Sequence, residues 1–160
     1  MDVKSTESFI FSELLNKNNI FLNLHSKNKT ELLVELTEKI CSYTTNVKHN
    51  ILLSDLRKRE QDCSTGIGYN VAIPHTKTQA TDKLVIIFAR HSEIDFDSFD
   101  GKPAKLFFVL AVPPGCDDIY RKILSHLSKM LRNKEIREKL ISAKDKQEIF
   151  SVIKNYENNS

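Results

Sequence analysis

Residues 84–112 read LVIIFARHSEIDFDSFDGKPAKLFFVLAV, two unbroken apolar runs on either side of a polar excursion. Leu84–Ala89 and Leu106–Val112 have the length of strands, are rich in β-branched and aromatic residues, and contain no polar side chain. Continuous runs of this kind belong to central strands covered on both faces, so helices must lie above and below them. Between the runs, Ile94 and Phe96 followed by Asp100-Gly101 suggest an antiparallel excursion or hairpin.

Working outward toward the N-terminus, Val71–Ile73 is a short apolar piece that ends at Pro74-His75, and Ser64–Pro74 breaks into a loop with Gly66 and Gly68. Leu52, Leu56 and Arg59 stand at i, i+4 and i+7, which predicts a helix over 48–62 whose apolar stripe ends in an arginine. Asn28 followed by Glu31 resembles a capping box, and it opens a helix in which Leu32, Leu33, Leu36 and Ile40 recur at helical spacing up to about Tyr43. Ile20–Leu24 alternates and reads as a strand. Residues 1–18 form a polar N-terminal segment whose short apolar patch, Phe9 to Leu15, suggests one or two helical turns after a frayed start. Toward the C-terminus, Ile119, Ile123, Leu124, Leu127, Met130 and Leu131 follow a helical period from Asp117, and a final helix carries Ile149, Phe150 and Ile153. The expected fold is α/β, a single domain over 19–157 with a mixed β-sheet flanked by helices.

Composition excludes several classes. The chain has 160 residues, 40% hydrophobic and 28% charged, which suits one globular domain with a real core. No apolar run approaches the roughly 18 residues of a membrane span, and Met1–Ser8 is too polar for a signal peptide, so no membrane insertion and a cytoplasmic address are expected. Cys41, Cys63 and Cys116 are odd in number and widely spaced, a pattern of reduced structural thiols. A net charge of +3 with interleaved acids gives only a weak electrostatic footprint for nucleic acid, and no nucleic-acid partner is expected. The locally basic stretch Lys129–Lys146 contains Glu135, Glu138 and Asp145 and reads as a solvated helical face. His25, His49, His91 and His126 lack metal-ligand spacing, no GxxxxGK[ST] loop or HExxH helix occurs, and neither a metal nor a cofactor is expected.

Chemistry concentrates in residues 57–75, RKREQDCSTGIGYNVAIPH. A cation, two hydroxyls, two glycines and a histidine whose approach is fixed by proline together suit a phosphorylated imidazole. Neutral imidazole is a good nucleophile near its ordinary pKa of about 6.5, and the phosphoramidate it forms can release its phosphoryl group again. Roughly two negative charges arrive with that group, so a guanidinium and several hydroxyl or N–H donors are needed around it. Arg59, Ser64, Thr65 and the amides of the loop at Gly66 are the candidates. Each has a plainer reading: Arg59 pairing with Asp55 or Glu60 on the helix surface, Ser64 and Thr65 as turn caps, Gly66 as a turn.

The joint pattern Cys63-Ser-Thr-Gly-Ile-Gly68 with Ala72-Ile-Pro-His75, preceded by Arg59-Glu60, resembles the signature of phosphotransferase-system (PTS) EIIA domains of the fructose, mannitol and nitrogen type. The resemblance extends to Ile94–Asp97, to Asp100-Gly-Lys-Pro103 and to the Val-Pro-Pro segment before Asp117, and so covers the chain from about Ile20 onward. It implies that His75 is phosphorylated by the phosphocarrier HPr or its nitrogen-branch counterpart, and that the phosphoryl group is relayed to an EIIB domain. The alternative it implies is a regulatory module whose phosphorylation gates docking to kinases, transporters or other proteins. Members often carry a second histidine where this chain has Tyr120, and commonly a glycine where it has Thr76. A phenol donates a hydrogen bond to phosphate but is no imidazole, so onward transfer is where a difference is expected.

Overall fold

The computed structural model describes residues 9–160; the expected polar start at 1–8 lies outside the described residues. The two apolar runs form β5 (Val85–Ile94) and β6 (Ala104–Val112), paired antiparallel from Val85 opposite Ala111 to Ile94 opposite Ala104. Alternation then sorts their side chains into two cores. Ile86, Phe88, Leu106, Phe108, Leu110 and Val112 face one side. They meet Ile123 and Leu127 of α3 (Asp117–Leu131), Leu140 of α4 (Lys134–Ser142) and Ile149 and Ile153 of α5 (Lys146–Asn158). Val85, Ile87, Ala89, Phe107, Val109 and Ala111 face the other side, against Leu32, Leu36 and Ile40 of α1 (Lys29–Tyr43) and Leu52 and Leu56 of α2 (His49–Asp62). The result is the mixed sheet flanked by helices that the continuous runs predict.

The remaining strands are short. β1 (Ile20–Phe21) runs parallel to β5, and β2 (Gly66–Gly68) pairs antiparallel with β3 (Val71–Ala72), giving the order β1-β5-β6-β3-β2. β4 (His75–Lys77) pairs parallel with β6 further along the edge that β3 uses, with His75 opposite Leu110. The interruption between them is Pro74, which has no N–H to give; its carbonyl still accepts from the Leu110 amide at 3.0 Å. This jog in the edge strand is what carries His75 to the sheet margin.

Two boundaries differ from the sequence reading, while the N-terminal apolar patch makes the helical turn expected of it. β1 stops at Phe21 instead of Leu24, although the Leu24 amide still reaches the Arg90 carbonyl. The C-terminal helical region breaks twice, because Asn133 and Asp145 cap new helices by accepting the amides of Ile136 (3.2 Å) and Glu148 (2.8 Å). The apolar patch near the N-terminus forms a single 3-10 turn, Phe11–Leu14, and Phe11 and Leu15 are buried against the α3–α5 side of the sheet. Asn28 caps α1 as expected, accepting the Glu31 amide at 2.9 Å. Among the described residues no helix is long and apolar enough to cross a membrane, and the three cysteines are free.

Phe108 sits at the centre of this core, fully buried, its ring 5.0 Å edge-on from Phe88 and 6.2 Å from Phe11. Phe108→Ala is expected to lower unfolding stability by about 3–5 kcal/mol, the cost of forfeited transfer energy and the cavity left behind, measured by urea titration. A loss below about 1 kcal/mol would mean that Phe108 is not packed as described.

Candidate functional site

His75 opens β4 half-buried, and its Nδ1 lies 2.6 Å from the Ile73 carbonyl oxygen. A carbonyl can only accept, so Nδ1 carries the proton and Nε2 keeps its lone pair. Burial pushes the His75 pKa below its ordinary value and the Arg59 guanidinium acts in the same direction, against the Ile73 carbonyl and the Glu60 carboxylate, which raise it. The net direction is down, so the ring is neutral and nucleophilic at neutral pH. Any reaction through the Nε2 lone pair should therefore lose rate only as pH drops through a pKa below the ordinary value of about 6.5. A rate profile whose acid limb is centred above that value would contradict the neutral, pinned imidazole.

Around His75 lies an open recess of about 410 Å³ lined by Asp55, Lys58, Arg59, Asp62, His75, Thr76, Lys77 and Tyr120. Four of these come from one face of α2, at i, i+3, i+4 and i+7. Arg59 is half-buried and donates from its guanidinium to the Cys63 carbonyl at 2.7 Å, which holds it along the end of the helix. Tyr120, in the first turn of α3, places its ring 5.8 Å from that of His75 at 42°. Burial raises its pKa, so it stands there as a phenol with a hydrogen to donate. Thr76 is buried with its hydroxyl on the Lys77 carbonyl (3.1 Å), and Asp55 is occupied by the Thr78 hydroxyl at 2.7 Å. Three cations and two carboxylates thus surround an imidazole lone pair, a setting that favours an incoming anion.

Of the six residues picked from sequence, His75, Arg59 and Tyr120 come together here; Ser64, Thr65 and Gly66 do not line the recess. The Ser64 hydroxyl donates to the Phe96 carbonyl at 2.8 Å and accepts the Gly66 amide at 3.0 Å, so it shapes the turn. Thr65 gives both its amide and its hydroxyl to Glu60. Gly66 is needed because a Cβ there would fall 2.4 Å from Ser98 Oγ and 2.9 Å from Ser98 Cα. Its amide is engaged by the Ser64 hydroxyl and does not face the recess. Asn70 adopts the left-handed conformation, with Tyr69 beside it, at the tip of the β2–β3 hairpin.

Sequence reasoning missed Lys58, Lys77, Asp55 and Asp62 as recess residues. The signal was present in the i, i+3, i+4, i+7 spacing of the four α2 positions and in the two-residue step from His75 to Lys77 along a strand. Among the described residues no three His, Cys, Asp or Glu side chains stand together as a metal site. His91 is committed to structure, with Nε2 on the Ser26 carbonyl at 2.7 Å and Nδ1 accepting the Glu93 amide. His126 stacks on Phe11 with centroids 4.6 Å apart.

Comparison with known proteins gives this geometry its class. The family described as "Phosphoenolpyruvate-dependent sugar phosphotransferase system, EIIA 2" matches residues 13–156, and the chain belongs to that family. Among its relatives, a PTS fructose-specific EIIA component of Haloferax volcanii is 44% identical over 102 residues, 63% of this chain; the chain spans 66% of that protein's length. A nitrogen regulatory protein of Bradyrhizobium diazoefficiens is 36% identical over 131 residues, covering 81% of this chain and 85% of the relative. The crystal structure of the nitrogen regulatory protein IIA-Ntr from Neisseria meningitidis superposes with a TM-score of 0.81 at 29% identity, over 89% of this chain and 97% of that one.

Proposed function

We propose that the protein is a phosphohistidine phosphocarrier, taking a phosphoryl group from an HPr-type donor onto Nε2 of His75 and passing it to an EIIB domain or using it as a signal. In the uptake step the Nε2 lone pair forms a bond to the donor's phosphorus while the donor's own nitrogen–phosphorus bond breaks and returns its electron pair to the donor imidazole. The Nδ1 proton stays where it is, in its bond to the Ile73 carbonyl, so the loaded ring bears no added proton. Arg59, Lys58 and Lys77 offset the charge that arrives, and the Tyr120 phenol supplies a hydrogen-bond donor beside it. The observation that carries this reading is the imidazole pinned at Nδ1 and open at Nε2 onto a cation-bearing recess, in a chain of the EIIA 2 family.

The test is incubation with a phosphorylated HPr-type donor. Label should enter stoichiometrically and be lost in acid but kept in base, as a phosphoramidate requires; acid-stable label, or none, would end the proposal. Onward passage to a purified EIIB separates carrier from signal. Tyr120→His should speed that passage by about tenfold, the scale of adding a proton-transfer or charged partner to a single step. If wild-type passage is already rapid and the substitution leaves it unchanged, Tyr120 does not govern onward transfer and the purely regulatory reading loses its support.

A further inference from the structure

α2 turns one charged side chain inward. Leu52, Leu56 and Glu60 share its buried stripe, and Glu60 is only 8% exposed. Its carboxylate accepts the Lys29 ammonium at 2.9 Å, the Thr65 amide at 3.2 Å and the Thr65 hydroxyl. Lys29 is itself largely covered and lies 4.5 Å from the centroid of the Phe96 ring. A leucine at position 60 would complete the stripe, and burying an ion pair is a poor way to gain stability, since desolvation consumes most of the attraction. The pair therefore calls for a reason other than holding α2 in place.

That reason lies in where the hydrogen bonds lead. The Thr65 carbonyl accepts the Ile73 amide at 3.0 Å, and the Ile73 carbonyl accepts His75 Nδ1 at 2.6 Å. A continuous set of contacts thus runs from Lys29 and Glu60 through Thr65 and Ile73 to the imidazole, although Glu60 does not line the recess. We propose that Glu60, charged and held by Lys29, is a positioning residue for His75. It fixes Thr65, and through Thr65 and Ile73 it sets the orientation of the ring and which nitrogen bears the proton. This rests on the phosphocarrier reading for its purpose, but the ring geometry it controls exists without any phosphoryl group. Networks of this kind constrain more tightly than their separate bonds, because each member is already polarised and immobilised by the next.

The experiment compares wild type, Glu60→Gln and Thr65→Ser by nitrogen-15 NMR of the imidazole and by labelling rate with a phosphorylated HPr-type donor. Glu60→Gln keeps the shape but removes the charge. It should populate both ring tautomers, lower the pH at which His75 titrates, and label about tenfold more slowly, the scale of a small misplacement of a reacting atom. Thr65→Ser keeps amide and hydroxyl and should match wild type in all three. Glu60→Gln with a single Nδ1–H tautomer and a wild-type rate would overturn the proposal. Should Glu60→Gln not fold, Thr65→Val removes only the hydroxyl and is expected to show mixed tautomers and labelling slower by about threefold; wild-type values there overturn it equally. A wild-type protein that takes no phosphate, while the tautomer contrast between variants persists, would sink the phosphocarrier reading and support the positioning.

Discussion

His75→Ala is expected to take no phosphate at all: with a phosphorylated HPr-type donor, label falls to the background of donor alone. The loss is complete because the expected label is a phosphoramidate, and among the side chains that line the recess His75 is the one imidazole. Asp55 and Asp62 could form only acyl phosphates, which base destroys, and Asp55 already accepts the Thr78 hydroxyl; Tyr120 is a phenol held protonated by burial, and Thr76 is an alcohol turned to backbone carbonyls. His126 and His91 lie in other surroundings, against Phe11 and the Ser26 carbonyl. His75→Ala should remain folded, since His75 is half-buried at the sheet margin and its strand is held by the backbone ladder to β6. Retained label in a folded variant would place the chemistry elsewhere.

Arg59→Ala should slow labelling by about tenfold or more, the scale of a single charge-assisted hydrogen bond removed from the point where charge accumulates. The guanidinium is held ready by its bond to the Cys63 carbonyl, so little ordering remains to be done when the phosphoryl group arrives. The variant also carries a pH signature. Burial is the main cause of the lowered His75 pKa, and Arg59 adds to it, so removing Arg59 lets the pKa rise. More of the ring is then protonated at mildly acid pH, and the deficit should widen as pH falls through the pKa while shrinking to the loss of charge stabilisation alone at higher pH. Arg59→Lys should recover part of the rate, since a point charge replaces the fork but not its geometry. Wild-type kinetics in Arg59→Ala across the pH range would remove Arg59 from the reaction.

How much of this the sequence discloses depends on the range of the interactions. β5 and β6 are legible because their alternation-free apolar runs admit only a doubly covered strand pair, and α1 and α2 because leucines recur at helical spacing beside a capping Asn28. His75 and Arg59 are legible through a motif whose residue types match one chemistry, and Tyr120 only through the resemblance, at the place where members often carry a second histidine. The roles of Ser64, Thr65 and Gly66 are not, because their partners lie elsewhere in the chain: Phe96 for Ser64, Ser98 for Gly66, and an inward-turned Glu60 for Thr65. Glu60 itself falls on the Leu52–Leu56 stripe one turn further on, yet a glutamate beside arginine reads as surface until Lys29, from another helix, is seen to neutralise it. Local rules find a helix and its apolar face; they do not find a charge that tertiary structure has chosen to bury.

Everything in the functional reading converges on one nitrogen of one ring. Uniformly nitrogen-15-labelled protein, loaded from a phosphorylated HPr-type donor and studied by nitrogen and phosphorus NMR, should show phosphorus bonded to Nε2 of His75, with Nδ1 still protonated and still on the Ile73 carbonyl. Phosphorus on Nδ1, on any other residue, or nowhere in the protein would contradict it.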